Sequence, residues 1–253
     1  MNKQVIGSHI IEIEQTASTN TYTANLLRSE QQEEGTVIIA YNQTAGRGQD
    51  QNKWESEPFQ NLTFSIILYP IFLDPGDQFQ LSKAISLGII DFLKSILPKH
   101  YEAIKIKWPN DIYVGDKKIC GILIQNSITG SRLSDSIIGI GLNVNQSLFK
   151  SNAPNPISIK NLTDKETNLK DCLASLCNSL NYRYMQLASH QNKVIEENYI
   201  DSLYRFGEWR NYKINENTLI AKINGTSEYG QLLLEDKNGN DYTCNIKEVA
   251  YII

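Results

Sequence analysis

The segment IIGIGLNVN, residues 137–145, constrains this chain more than any other. Its strict alternation predicts a β-strand, because successive side chains of a strand point to opposite faces. Ile138, Ile140, Leu142 and Val144 then share one face, which must be buried. The other face offers only Gly139, Gly141, Asn143 and Asn145. Glycine and asparagine are poor strand formers, so a face built from them calls for a reason. Glycines in a strand mark close approach by a ligand or another backbone, and asparagines supply donors and acceptors to it. The plainer alternative is an exposed edge beside a turn.

A second constraint is AGRGQDQNKW, residues 45–54, which lies between the apolar runs GTVIIAY and NLTFSIILY. Gly46 and Gly48 let a ligand approach the backbone closely, and Arg47 offers a planar fork of donors suited to carboxylate or phosphate. The alternative is a flexible surface loop with a solvated arginine. A third constraint is KWPNDIYVGDKKICGIL, residues 107–123. Pro109 ends one strand, and Gly115-Asp116 suits a two-residue hairpin turn. In that register Tyr113 faces Lys118, and Asp111 is a diagonal neighbour of Lys118 at roughly 7 Å. Strict alternation puts Gly121 on the opposite face unless a bulge intervenes. Lys117 reads as a solvated lysine guarding the hairpin.

The remaining pattern predicts α+β organisation. STNTYTANLLRS predicts a helix over 18–29 with Ser18 or Thr19 near its N-cap, and strands are expected at 35–41 and 61–69. Leu81, Ile85, Ile89, Leu93 and Leu97 recur at helical spacing until Pro98. A second helix is expected from Leu169 through Leu187. Beyond about residue 212 the chain changes to short strands, with an Asn-Gly turn in DKNGND, and a small barrel is expected over 213–253 after a larger domain over 1–212.

The net charge of −4 argues against a general nucleic-acid binder. No apolar stretch reaches membrane-spanning length and MNKQVIGSHI lacks a signal-peptide core, so a cytoplasmic protein is expected. Cys120, Cys172, Cys177 and Cys244 have no zinc-type spacing and read as buried thiols, and His9, His100 and His190 form no metal motif.

Taken in order, STN (18–20), QTAGRG (43–48), Trp54, KWPNDIYV (107–114), KICGIL (118–123) and GIGLNVN (139–145) resemble the bacterial biotin protein ligases, or biotin–[acetyl-CoA-carboxylase] ligases. The resemblance covers nearly the whole chain. It implies a mixed-sheet catalytic domain of the biotin/lipoate ligase type (class II synthetase-like) followed by an SH3-like β-barrel. The implied reaction joins biotin to ATP as biotinyl-5′-adenylate, then transfers biotin to a lysine of a biotin carboxyl carrier protein domain. By the same resemblance Ser18, Thr19, Asn20 and Gln43 hold biotin's polar ring, with Gly46, Gly48, Gln49 and Gly121 alongside. Arg47 and Lys118 bind the carboxyl and α-phosphate oxygens, with Lys118 the main electrostatic catalyst. Trp54, Lys107, Asn110 and Asn143 line the adenylate site, and Asp111 orients the incoming amine or the metal. Mg²⁺ is expected to arrive with ATP rather than in a protein cage. No nucleic acid or membrane is expected as a partner, and a homodimer is among the arrangements the sequence allows.

Two departures accompany the resemblance. Many members carry arginine at position 49 and a fuller basic run after it, where this chain has Gln49-Asp50-Gln51-Asn52. Some relatives also carry an N-terminal helix-turn-helix, for which the stretch before STN leaves no room, so a monofunctional ligase is expected. The loop is expected to act as a lid, disordered when empty and ordered over the adenylate. A lipoate-type ligase, a silent biotin- or nucleotide-binding module and a DNA-binding regulator are the competing readings.

Overall fold

The computed structural model describes residues 4–49, 52–151, 155–215 and 217–252. Asp50 and Gln51 of the loop 45–54, on which the lid expectation falls, lie outside the described residues. The larger unit is a mixed sheet of seven strands: β1 (Ile10–Thr16), β2 (Val37–Gln43), β3 (Leu62–Leu68), β4 (Ile104–Lys107), β5 (Asp111–Val114), β6 (Lys117–Thr129) and β7 (Arg132–Leu142). Their spatial order is β1-β2-β3-β7-β6-β5-β4, with β1 parallel to β2 and the other pairs antiparallel. The glycine-bearing strand β7 therefore runs between β3 and β6. This overturns the exposed-edge alternative, because residues 136–142 are paired on both sides, although the strand ends at Leu142 and leaves Asn143 and Asn145 outside it.

The apolar face of the sheet is covered by α2 (Gln78–Ile96) and α4 (Leu169–Ala188), which pack on each other. They approach closely because position 88 is glycine: a Cβ there would lie 2.8 Å from the Leu180 Cα. Asn168 caps α4 by accepting from the Lys170 and Asp171 amides. Helix α1 (Thr19–Ser29) lies near β3 and β7. Its N-cap Ser18 is extended and its hydroxyl makes no capping bond. The short α3 (Ile159–Thr163) follows β7, and α5 (Asn192–Asp201) packs on α2. All four cysteines are free and buried. Among the described residues no helix is long and apolar enough to cross a membrane.

A second, antiparallel sheet of five strands closes the chain: β8 (Arg210–Ile214), β9 (Asn217–Thr226), β10 (Leu232–Asp236), β11 (Asp241–Cys244) and β12 (Val249–Tyr251), in the order β11-β10-β9-β8-β12. Strand β8 straddles residues 212 and 213. The two sheets are tied by the Trp108 indole, which donates to the Gly230 carbonyl at 2.8 Å, and the segment joining α5 to β8 is held to the large sheet by the Tyr204 hydroxyl, which donates to Asp116 at 2.5 Å. The sequence pattern gave no warning of β1, α5 or β8. β1 is a half-exposed edge, and α5 has too few apolar positions to display a helical period.

Candidate active site

The site is built on one row of the large sheet. Thr63 of β3 faces Gly141 of β7, which faces Gly121 of β6, which faces Asp111 of β5, which faces Lys107 of β4. Direct cross-strand partners project from the same face, so this row places a carboxylate and an ammonium beside a floor without side chains. The register that does so contains a bulge. β5 and β6 shift between Ile112 and Tyr113, so that Tyr113 pairs with Lys118 and Asp111 with Gly121, and Ile119 is the extra residue. The bulge brings Lys118 and Gly121 to one side: a Cβ at position 121 would meet the Lys118 ammonium at 3.2 Å. Lys118 Nζ then reaches Asp111 Oδ1 at 2.7 Å, so the two residues expected as diagonal neighbours across the hairpin form an ion pair.

The missing side chains of β7 are needed for space. A Cβ at Gly141 would collide with the Trp54 indole, and one at Gly139 would collide with the Asn20 amide. Trp54 thus lies flat on the glycine row, with Lys118 Nζ 5.7 Å from its ring centroid. Its indole Nε1 is buried and has no acceptor among the described residues. Beside Gly139 a polar cluster is assembled from three elements. The Thr19 amide donates to Gln43 Oε1 at 2.8 Å, and the Ser65 hydroxyl donates to Asn20 Oδ1 at 2.7 Å. The Asn20 amide donates onward to the Leu123 carbonyl at 3.2 Å. Ser18, Thr19 and Asn20 are all buried.

The loop between β2 and β3 arches over this floor. Arg47 bridges Lys53, the Gly48 amide donates to the Asn52 carbonyl at 2.7 Å, and the Trp54 amide donates to the Gly46 carbonyl at 3.0 Å. Its described residues are therefore closed on themselves as a paired turn. Gly46 is required by that closure, since a Cβ would lie 2.5 Å from the Trp54 carbonyl oxygen and 3.1 Å from the Gln43 amide nitrogen.

The cleft so formed has a volume of about 370 Å³. Among the described residues its wall carries Arg47, Lys53, Lys107, Lys118 and Lys247 against the one carboxylate of Asp111. A strongly cationic cleft in a chain of net charge −4 is suited to an anionic ligand. An adjoining cavity of about 450 Å³ shares Trp54, Lys107, Asp111 and Lys118, and adds Asn143 and Phe149. Burial is the main reason the Lys107 ammonium is held below the usual lysine range, and burial likewise pushes the Cys120 thiol up, leaving it inert.

Most of the residues singled out in the sequence fall at this place; Gly46 lies beside it against the Trp54 carbonyl, and Asn145 is bonded elsewhere, its amide donating to the Thr167 carbonyl at 2.9 Å. Ser18, Thr19, Asn20, Gln43, Arg47, Gly48, Gln49, Trp54, Lys107, Asn110, Asp111, Lys118 and Gly121 line the main cleft, and Asn143 lines the adjoining cavity. Asn110 spends its side-chain amide on the Ile122 carbonyl, while its own carbonyl accepts from the Ile122 amide at 3.0 Å. Its role is to fix the chain between β4 and β5 against β6. Asn143 donates to the Ile157 carbonyl at 3.0 Å and keeps a buried Oδ1 with no donor among the described residues. Sequence reasoning missed Ser65, Lys53, Lys247 and Tyr251. Lys53 adjoins Trp54 and was within reach of motif reading. The other three arrive by tertiary contact alone.

Comparison with known proteins decides the family. The biotin/lipoate A/B protein ligase family pattern matches residues 12–143. The chain is 31% identical over 253 residues to the bifunctional ligase/repressor BirA of Bacillus subtilis, covering 94% of this chain and 73% of that protein.

The chain belongs to the biotin/lipoate A/B protein ligase family.

Within this ligase family it is also similar to the biotin–[acetyl-CoA-carboxylase] ligase of Mycobacterium tuberculosis, at 28% identity over 53% of this chain and 48% of that protein. Its fold matches that of the biotin protein ligase of Aquifex aeolicus in complex with biotin and ATP, with a TM-score of 0.79 over 96% of this chain and 98% of that one, at 24% identity.

Proposed function

We propose that this chain is an ATP-dependent biotin–protein ligase working in two steps. In the first, an oxygen of the biotin carboxylate attacks the α-phosphorus of ATP, the bond to the β-phosphate breaks, and pyrophosphate leaves with the electron pair. In the second, a lysine amine of a carrier protein attacks the mixed anhydride, loses its proton, and displaces AMP. The reading rests on one juxtaposition. Arg47 and Lys118 face a glycine floor, with the polar cluster of Thr19, Asn20, Gln43 and Ser65 next to it. The polar cluster suits a ureido ring, and the cations suit the place where carboxylate and phosphate oxygens meet.

In this reading Lys118 stabilises the charge that develops on the α-phosphate, and its ion pair with Asp111 fixes it before substrate arrives. Asp111 also orients the incoming amine. Trp54 covers the adenylate and keeps water from the anhydride. Asn143 Oδ1 offers an acceptor to the nucleotide base. Among the described residues no three metal-ligating side chains form a group, and Asp111 is the one carboxylate on the cleft wall. Mg²⁺ bound with ATP would supply charge neutralisation for the pyrophosphate, with Asp111 the described cleft carboxylate that could help to hold it. The name of the mycobacterial relative supports the biotin carboxyl carrier domain of acetyl-CoA carboxylase as the carrier, and the dependence on ATP supports a cytoplasmic setting.

The test is to incubate the protein with ATP, Mg²⁺ and labelled biotin, with and without a purified carrier domain. Pyrophosphate release with biotin, and label on the carrier, are expected. Label transferred from lipoate and not from biotin would reassign the substrate. No pyrophosphate release with either acid would reduce the protein to a binding module.

A further inference from the structure

Lys107 is held in an unusual way. It ends β4 at the head of the glycine row, directly across from Asp111. Asp111, however, is already engaged by Lys118. Among the described residues the Lys107 ammonium has neither a hydrogen-bond acceptor nor an ion-pair partner, and its partners are two aromatic faces. Its Nζ lies 5.1 Å from the ring centroid of Tyr113 and 4.9 Å from that of Tyr251. Tyr113 belongs to β5 of the large sheet, whereas Tyr251 belongs to β12 of the small one. The lysine that lines both cavities is thus clamped between one ring from each sheet.

The Tyr251 side of the clamp is itself fixed. Tyr251 pairs with Tyr212 across β12 and β8, and their rings are 5.3 Å apart. It also meets Tyr204 at 6.0 Å, and Tyr204 meets Tyr113 at 5.6 Å. The Arg205 guanidinium donates to the Ile252 carbonyl at 2.9 Å, which anchors the strand just beyond the ring. A run of tyrosines therefore links the two sheets around Lys107. An aromatic face attracts an ammonium without consuming its hydrogen-bond donors, so the three N–H groups of Lys107 stay available to anionic oxygens.

We propose that Tyr251 is a positioning residue for the nucleotide. By completing the clamp it aims Lys107 at the polyphosphate of ATP, so that the Tyr251 ring tunes the affinity for ATP and leaves the affinity for biotin untouched. This rests on the ATP-dependent reaction proposed above. Biotin's cluster at Thr19, Asn20, Gln43 and Ser65 lies around Gly139 of β7, whereas Lys107 lies on β4, the far edge strand. The two affinities are therefore separable.

The experiment measures biotin- and ATP-dependent pyrophosphate release for the parent, Tyr251→Leu, Tyr251→Phe, Lys107→Met and the double variant Tyr251→Leu/Lys107→Met. Tyr251→Leu is expected to raise KM for ATP about tenfold, the scale of a desolvated cation–π contact, with KM for biotin within about twofold. Tyr251→Phe keeps the ring and should restore the parental KM for ATP. The double variant should be no worse than Lys107→Met, because both changes remove one device. Should Tyr251→Leu not fold, phenylalanines bearing one to three ring fluorines are placed at position 251. KM for ATP should then climb with each fluorine as the ring face loses its negative potential. A parent that releases no pyrophosphate would defeat the ligase reading itself. A parent that does, combined with an unchanged KM for ATP in Tyr251→Leu, equal rises for ATP and biotin, additive effects in the double variant or no fluorine trend, would overturn the clamp alone.

Discussion

Gly139 and Gly141 of the large sheet and Gly239 in the β10–β11 turn of the small one are glycine for opposite reasons. In the large sheet Gly139 and Gly141 take ordinary extended backbone, and what forbids a side chain is the Asn20 amide or the Trp54 indole lying on top. In the small sheet Gly239 sits at φ +83° with nothing within 4 Å of where a Cβ would be. There the backbone conformation forbids a side chain, and the space is open. The first kind of glycine makes room for a site, and the second makes a turn. A substitution at Gly139 or Gly141 should therefore damage chemistry, and one at Gly239 should damage stability.

The largest effect tests the cationic floor directly. Lys118→Ala should lower single-turnover adenylate formation by at least about a hundredfold, the scale for losing one electrostatic stabiliser. Near-parental rates would remove Lys118 from the mechanism. Gly141→Ala should cost about a hundredfold in the same assay, because the Trp54 indole must shift by an ångström or more. Its melting temperature should move little. A Gly141→Ala protein that melts much earlier but turns over normally would break the comparison.

The small sheet supplies the converse. Gly239→Ala forces alanine into the left-handed region at a cost of about 1–2 kcal/mol, which corresponds to a melting temperature lower by roughly 3–6 °C in a domain of this size. Adenylate formation at 25 °C should be unchanged. The same turn contains Asp236, whose carboxyl is held at about 2, mainly by the hydrogen bond from the Asn240 side chain. A carboxyl with a depressed pKa stabilises the fold above its unfolded value and loses that contribution as it becomes protonated. Stability should thus fall between about pH 4 and pH 2, and Asp236→Asn should flatten that part of a melting curve taken against pH. An unaltered acid limb in the variant would show that other carboxyls control it.

The smallest expected effect returns to the cleft. Gln49 lines it without charge, so Gln49→Arg should hold biotinyl-5′-adenylate more tightly. A charge-assisted bond in place of a neutral one is worth about 1 kcal/mol, or several-fold in release rate. Dissociation of preformed adenylate, chased with unlabelled biotin and ATP, measures it. Unchanged or faster release would mean that position 49 does not face the phosphate.

Read as a sequence, the chain determined a good deal of itself. The alternation in 137–142 marked a strand with one buried and one bare face, although the strand stops at Leu142 and residues 143–145 leave it through a bend, and the helical spacing of 81–97 and 169–187 marked two helices. Periodicity is local, since it depends only on which neighbours share a face, and so it survives without knowledge of the fold. The segments carrying Arg47, Asp111 and Lys118 were legible for a related reason. Each is a short run whose residue types are hard to explain as core or solvent.

Tertiary structure alone decided the rest. Whether β7 was an edge or an interior strand depended on which strands paired with it, and no local pattern records that choice. The bulge at Ile119, which turns Lys118 and Gly121 to the same side, is a register shift set by packing on both sides of β6. Ser65 had the appearance of an ordinary strand residue until α1 was laid against β3. Tyr251 reaches Lys107 because the small sheet docks against β4 and β5, a contact between distant parts of the chain. Local sequence fixes which face a side chain takes within its own element. What it meets on that face depends on free energies of packing, and these exist only once the elements have come together.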